Sequence, residues 1–287
     1  MPHRVVTAAL ATTCAAHAVA APVLVGDYLF QDRFANAIDG AAGSLSRIGA
    51  QGFYETRSVA GVSRRVYTFP AGSGFSLTHG IDVLQEGFSF AFLFELDATD
   101  DYRKILDLSY RRFDAGLYVS ENDVLFYDHG GRRGLSGWLV PNRWVNLVYT
   151  WTPGENGAPA TIRVYADGRL EHESLDPESE GILVSPYNSF YFFIDDNQTT
   201  GEHSAGSVAR MRFWHGALTP DEVAALDTVP GGGPLCAADM NGDANADVND
   251  LLAFLGAFRD ADADFNGDAE TNVNDLLAFL GAFRQGC

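Results

Sequence analysis

Cysteine is scarce in this sequence: three residues in 287, at positions 14, 236 and 287. The seven histidines are scattered without zinc-ligand spacing, so no zinc site can be argued. No Gly-x-Ser-x-Gly elbow, phosphate-binding loop or dinucleotide fingerprint is present, which removes the commonest hydrolase and nucleotide readings. Basic residues are also few. Nineteen Lys and Arg stand against 38 Asp and Glu, a formal net charge of -19. Such a surface repels phosphate backbones and anionic lipid, so no nucleic-acid partner is expected, and cations suit it better.

Long apolar runs are missing after the first twenty residues, so no membrane span is expected in the mature chain. The N-terminus itself reads as a secretion signal over 1–20. Met1 to Arg4 give a positive start, Val5 to Val19 are small and apolar, and Ala18-Val19-Ala20 is an A-x-A site placing the cut near Ala21. Cys14 follows Thr13, where a lipoprotein signal would have Gly or Ala. The expected location is therefore outside the cytoplasm, secreted or at the cell surface. Cleavage leaves Cys236 and Cys287, an even pair in an oxidising setting. A disulfide between them would flank the C-terminal unit and stabilise it by on the order of 4 kcal/mol. The alternative is that Cys287 serves intermolecular attachment.

What is abundant at the C-terminus is repetition. VNDLLAFLGAFR spans 248–259 and recurs at 273–284. Upstream of each copy, oxygen side chains fall at the first, third, fifth, ninth and twelfth places of a loop. These are Asp239, Asn241, Asp243, Asp247 and Asp250, then Asp264, Asn266, Asp268, Asn272 and Asp275. Asn245 and Glu270 occupy the seventh place, where the backbone carbonyl serves. This is the spacing of a loop wrapped around Ca²⁺, a hard cation that takes six to eight oxygens. Several carboxylates held this close repel one another unless a cation neutralises them. The unit is expected to loosen without calcium. Leu251, Leu252, Leu255 and Phe258, with their equivalents Leu276, Leu277, Leu280 and Phe283, recur at helical spacing. One short amphipathic helix cannot bury its apolar face alone, so the duplicate supplies the other half of a core. Ala244 and Ala269 stand at the sixth place, usually Gly, and weaken the loops by roughly 1 kcal/mol each.

Two loops at this spacing, Asp at the twelfth place and Leu-Leu directly after resemble a dockerin domain over 236–287. The resemblance implies a calcium-dependent plug that attaches secreted, often carbohydrate-active proteins to a cohesin-like or other cell-surface partner. Gly286-Cys287 with Cys236 looks like a variant found at the end of secreted bacterial proteins. Partner contacts would come from helix residues such as Asn249, Arg259, Asn274 and Arg284, which are equally suited to plain solvated surface.

Pro230-Gly-Gly-Gly-Pro234 is a solvated joint, which puts a linker at 229–235. Upstream, over 24–228, short apolar runs alternate with turn signals. Phe88–Phe94, Lys104–Leu108, Gly116–Val119, Val124–Tyr127, Trp144–Trp151 and Phe190–Ile194 read as strands. Thr161–Tyr165 and Arg169–Ser174 read as a hairpin around Asp167-Gly168. Thr219, Pro220 and Glu222 form a capping box for one short helix. The expected fold is mainly β: an antiparallel jelly-roll sandwich with a small α-helical, calcium-binding C-terminal domain. Asp27–Phe34 as an opening strand, Arg143–Trp151 with Val164–Gly168 as a central hairpin, and Ser207–Leu218 with Asp221-Glu222 as a closing strand and helix resemble the laminin-G-like, concanavalin A-like superfamily. That superfamily holds lectins, adhesion modules and some glycosidases, and fold does not fix chemistry.

Two stretches invite a site. Glu95-Leu-Asp97-Ala-Thr-Asp100 resembles the Glu-x-Asp-x-x-Glu strand of some retaining glycosidases, where alternation puts two carboxylates on one face. Here the third acid is Asp, and Thr99 stands where an apolar residue is expected, so a strand end entering an acidic loop is the competing reading. Asp195, Asp196, Asn197 and Glu202 could form a ligand or metal loop at the sandwich edge. Asp128–Arg133 reads as a hairpin tip. Trp138, Tyr187 and Trp214 would stack on sugars if exposed. The whole points to a secreted, non-enzymatic module that recognises a polysaccharide, glycoprotein or other protein. The alternative is a polysaccharide-degrading glycoside hydrolase on the same anchor.

Overall fold

The computed structural model describes residues 21–38, 42–59, 61–78, 87–112, 116–121, 123–126, 132–133, 139–155, 157–176, 189–197, 201–226, 238, 246–259, 263, 265 and 270–285. The signal segment, the linker, Cys236, Cys287, Trp138, Tyr187, and Asp239, Asn241, Asp243, Asn245, Asp264, Asn266 and Asp268 of the repeated loops lie outside them. Among the described residues the strands are β1 (Val23–Tyr28), β2 (Ser46–Ile48), β3 (Phe53–Val59), β4 (Val62–Phe69), β5 (Gly74–Thr78), β6 (Phe88–Leu96), β7 (Tyr102–Asp107), β8 (Leu117–Ser120), β9 (Asp123–Phe126), β10 (Arg132–Arg133), β11 (Val145–Thr152), β12 (Ala160–Ala166), β13 (Arg169–Asp176), β14 (Ser189–Phe192) and β15 (Gly206–His215). The helices are α1 (Pro220–Ala225), α2 (Val248–Arg259) and α3 (Val273–Gln285).

The strands form two antiparallel sheets. The larger runs β10-β13-β12-β11-β6-β15-β4-β3, with β1 also paired to β15, and the smaller runs β2-β5-β14-β7-β8-β9. Period-two alternation sorts the side chains. On β6, Phe88, Phe90, Phe92 and Phe94 enter the core between the sheets. Ala91 and Leu93 turn to the outer face, in two separate apolar clusters. Phe90 stacks on Phe213 at 4.6 Å and meets Phe190 edge-on at 4.7 Å. Each such ring removed from water contributes about 1.5–3 kcal/mol.

The Asp-Gly hairpin is as expected. Asp167 and Gly168 both take positive φ, 49° and 84°, which suits the tight turn between β12 and β13. The capping box is also present: Glu222 N–H donates to Thr219 Oγ1 at 3.3 Å, and Thr219 N–H donates to Glu222 Oε2 at 2.8 Å. Helix α1 buries Val223 against Trp214, so Trp214 packs and does not reach out for a sugar.

Three expectations need correction. The opening strand is Val23–Tyr28, not Asp27–Phe34, because Phe30 and Asp32 adopt left-handed φ of 51° and 57° and break it. The Phe190–Ile194 run stops at Phe192: Phe193, at φ 59°, turns its ring into the core. In the tail, Leu252 and Leu255 do not join the buried face; they are 62% and 42% exposed. Phe254 takes that role, packed with Leu251, Ala257 and Phe258. It stacks on its repeat-mate Phe279 at 4.2 Å and 7°. The two copies therefore do complete one core, through equivalent phenylalanines.

Candidate functional site

Five places carry the chemistry singled out above or found in the structure. In the tail, five proposed calcium ligands are described. Asp247 and Asn272 act as N-caps of α2 and α3, accepting from Asn249 N–H at 2.7 Å and Asn274 N–H at 2.8 Å. Asp250 and Asp275, with no exposed surface, accept in return from Asp247 N–H and Asn272 N–H, both at 2.8 Å. These reciprocal pairs are capping boxes with Asp in the third helical place. Glu270 is exposed. The two halves repeat this geometry.

The glycosidase-like stretch is not assembled as a strand of aligned acids. Glu95 lies on the outer face of β6, buried to 1% exposure. Arg57 Nη1 donates to Glu95 Oε1 and, at 3.0 Å, to Ser207 Oγ. Oε2 of Glu95 has no hydrogen-bond partner. Burial pushes its pKa up, against the opposing pull of Arg57. The strand ends at Leu96, so Asp97 stands past it on an exposed bend. Asp100 is 80% exposed and pairs with Arg103 at 2.9 Å.

The acidic stretch after β14 does come together with Glu202, but as an internal staple. Asp195 Oδ1 accepts from Asp196 N–H at 2.8 Å and Oδ2 from Glu202 N–H at 2.9 Å. Asp196 reaches the buried Lys104 at 3.4 Å. Asn197 is exposed and bonds the Arg111 carbonyl from its backbone and side chain, both at 3.1 Å. Among the described residues no three His, Cys, Asp or Glu form a group able to hold a metal.

A further buried acid, Glu171 on β13, is 4% exposed. Burial pushes its pKa from the usual 4.5 up to about 8; Arg169 opposes this, and Asp123 and Asp167 add to it. A raised pKa means the folded state prefers the proton, so this group's contribution is complete below about pH 4.5 and is lost as pH rises through 8. Glu171→Gln is expected to leave the thermal midpoint unchanged at pH 4. At pH 9 it should raise the midpoint by about 10 °C, for on the order of 4 kcal/mol. A midpoint that stays put at pH 9 contradicts this.

The fifth place was not anticipated from sequence. Strand β3 is an edge of the large sheet and β2 an edge of the small one, and an open cleft of about 470 Å³ lies alongside both. Its wall is aromatic. Phe34 meets Tyr67 edge-on at 4.9 Å, and Tyr54 meets Tyr67 at 4.8 Å. Phe53 stands at the cleft with 59% of its surface exposed. Polar groups converge on the same space: Arg47, Gln51, Arg65 and Asp32. Arg65 grips Asp32 through Nε at 3.0 and 3.2 Å and Nη2 at 2.5 Å. Burial, with Tyr67 and Asp32 adding, pushes the Tyr54 hydroxyl up to about 12, so it stays protonated and can donate at neutral pH. Gly52 makes the close approach possible. Its N–H donates to the Tyr67 hydroxyl oxygen at 2.8 Å, and a Cβ there would sit 1.9 Å from the Thr68 carbonyl. The signals in the sequence were Phe53-Tyr54 and Tyr67. They were legible as aromatics but not as neighbours, since Phe34 reaches them from a different segment.

Two antiparallel sheets packed face to face, with a short helix on the outer face, define a jelly-roll sandwich. The chain belongs to the Concanavalin A-like lectin/glucanases superfamily, whose laminin-G-type model matches residues 70–224. That match begins after β4, so all of the cleft's lining residues lie outside it. No curated protein matches the sequence. Among solved structures, domain 4 of an extracellular arabinanase from Geobacillus stearothermophilus, determined in complex with arabinotriose, is similar at 15% identity and a TM-score of 0.50. The likeness covers 71% of this chain and 98% of that one. The botulinum neurotoxin serotype G binding domain is similar at 13% identity and a TM-score of 0.48, over 71% of this chain and 50% of that one. No helix among the described residues is long and apolar enough to cross a membrane.

Proposed function

We propose that the protein is a secreted binding module whose sandwich takes a saccharide in the edge cleft and whose repeated tail is a calcium-dependent anchor. The cleft carries this reading: an exposed ring beside converging donors and acceptors is what a sugar needs, one apolar face to stack on and several hydroxyls to satisfy. Domain 4 of the arabinanase has this fold and was solved with arabinotriose, which makes short saccharides the first ligands to try.

For the tail, the donor set fits calcium. Its side chains offer oxygen alone, and Asp250 and Asp275 bring fully buried carboxylates to equivalent helix starts. The loops on 239–250 and 264–275 would hold the ions, and α2 and α3 would then present a partner surface. Val248, Leu252 and Leu255, with Val273, Leu277 and Leu280, form matching exposed apolar stripes on the two helices. Exposed apolar surface of this kind suits docking to a cohesin-like or other cell-surface protein.

The glycoside hydrolase alternative rests on the buried Glu95 with its unpartnered oxygen. Against it stand the Arg57 clamp and the displacement of Asp97 and Asp100. A glycan array followed by titration separates the readings. Phe53→Ala removes an exposed ring at little cost to folding and is expected to weaken binding about five- to tenfold. Unchanged affinity would move the site elsewhere. Polysaccharide turnover abolished by Glu95→Gln would end the non-enzymatic reading.

A further inference from the structure

The charge around the cleft runs against that of the chain. The protein has a formal net charge of -19, yet residues 31–65 hold five arginines, at 33, 47, 57, 64 and 65, against Asp32, Asp39 and Glu55. Two of these arginines line the cleft, Arg47 from β2 and Arg65 from β4, and Asp32 is the one acid beside them. Arg65 and Asp32 neutralise each other through their fork. Arg47 does not share that arrangement. It is exposed, donates Nη1 to the Gly49 carbonyl at 2.6 Å, and has no carboxylate partner among the described residues.

We propose that the cleft is selective for a saccharide bearing a carboxylate, a uronic-acid residue, with Arg47 as its counter-charge. The inference rests on the saccharide reading above and narrows it to a ligand class. The remaining question is whether the acidic surface cancels one arginine. It does not at contact range, because the Debye length is about 8 Å at physiological salt and distant acids are screened. A guanidinium also offers two parallel N–H donors in one plane, the shape of a carboxylate. The arrangement assigns the rest of the sugar as well. Phe53 takes a ring face. The Tyr54 hydroxyl and the Gln51 amide meet ring hydroxyls. The Arg65–Asp32 pair supplies both a donor and an acceptor at fixed positions.

The test uses the full chain and one sugar backbone in two charge states: oligogalacturonate and its methyl ester, titrated calorimetrically at low and physiological salt. A third arm is a neutral arabino-oligosaccharide and a fourth a sulfated galacto-oligosaccharide. The acid form is expected to bind about tenfold tighter than the ester, with the advantage shrinking as salt rises. Arg47→Gln, at an exposed edge position, should erase that advantage, so that acid and ester bind alike, while leaving the thermal midpoint unchanged. Equal affinity for acid and ester, or discrimination that survives Arg47→Gln, overturns the proposal. So does preference for the sulfated arm. Binding of the neutral arabino-oligosaccharide equal to that of the acid form overturns the charge selectivity while leaving the saccharide reading intact. Failure of all four arms sinks both.

Discussion

Replacing Lys104 with Met is expected to destabilise the sandwich by about 3–5 kcal/mol at pH 7, the cost of leaving buried carboxylates without their cation. Lys104 and Asp107 have no exposed side-chain surface. The ammonium lies 3.7 Å from Asp107 Oδ2 and 3.4 Å from Asp196 Oδ2, donates to the Tyr118 hydroxyl, and sits 4.2 Å from that ring's centroid. Asp107 Oδ1 further accepts from Ser109 N–H at 3.2 Å and Arg111 N–H at 2.7 Å. Burial already raises the Asp107 pKa despite the lysine beside it. Without Lys104 that rise grows. A raised carboxylate pKa contributes stability that is complete below its unfolded value and is lost as pH climbs through the folded one. The deficit of the Met variant should therefore be small at pH 4 and full at pH 7. Adding Asp107→Asn and Asp196→Asn should recover most of it. Denaturant midpoints across pH measure this; a deficit independent of pH would mean that lost packing, not uncompensated charge, is the cause.

The second large effect concerns the tail. Calorimetry on the chelator-stripped full chain is expected to find two Ca²⁺ sites, with helical signal rising as they fill. Asp250→Ala should remove one site, but it also deletes a capping acceptor worth about 1 kcal/mol. Asp250→Asn separates the two roles. The amide oxygen still accepts from Asp247 N–H, while the carboxylate charge proposed to hold calcium is gone. It should lose at least about tenfold in affinity at that site and keep the helix start. Wild-type calcium affinity in Asp250→Asn would leave Asp250 as a cap alone. If neither heat nor helicity responds to calcium, the anchor proposal fails.

Local physics made much of the fold legible in the sequence. The Phe88–Phe94 run states its own alternation. Asp167-Gly168 names its turn, Thr219–Glu222 its cap, and the duplicated twelve residues their two helices. What could not be read there was set by distant parts of the chain. Leu252 and Phe254 are both apolar, and only the partner helix decides that Phe254 meets Phe279 while Leu252 faces out. That Asp196 meets a lysine could not be read beside Asp195-Asp196 in the sequence, because Lys104 lies on β7. Glu95 was legible as an acid on a strand, but Arg57, its clamp, arrives from a strand with no sequence-level link to it. The cleft was hidden for the same reason: Phe34, Arg47, Tyr54 and Arg65 are unremarkable until two sheet edges bring them together.

The pairing of β1 with β15 has an architectural corollary. Val23 lies opposite His215, so the first and last strands of the sandwich run side by side in one sheet. A unit whose two ends leave from neighbouring positions can be spliced into a host loop without stretching either junction. This sandwich is thus preadapted to travel as a cassette, grafted between other modules with its edge cleft still open.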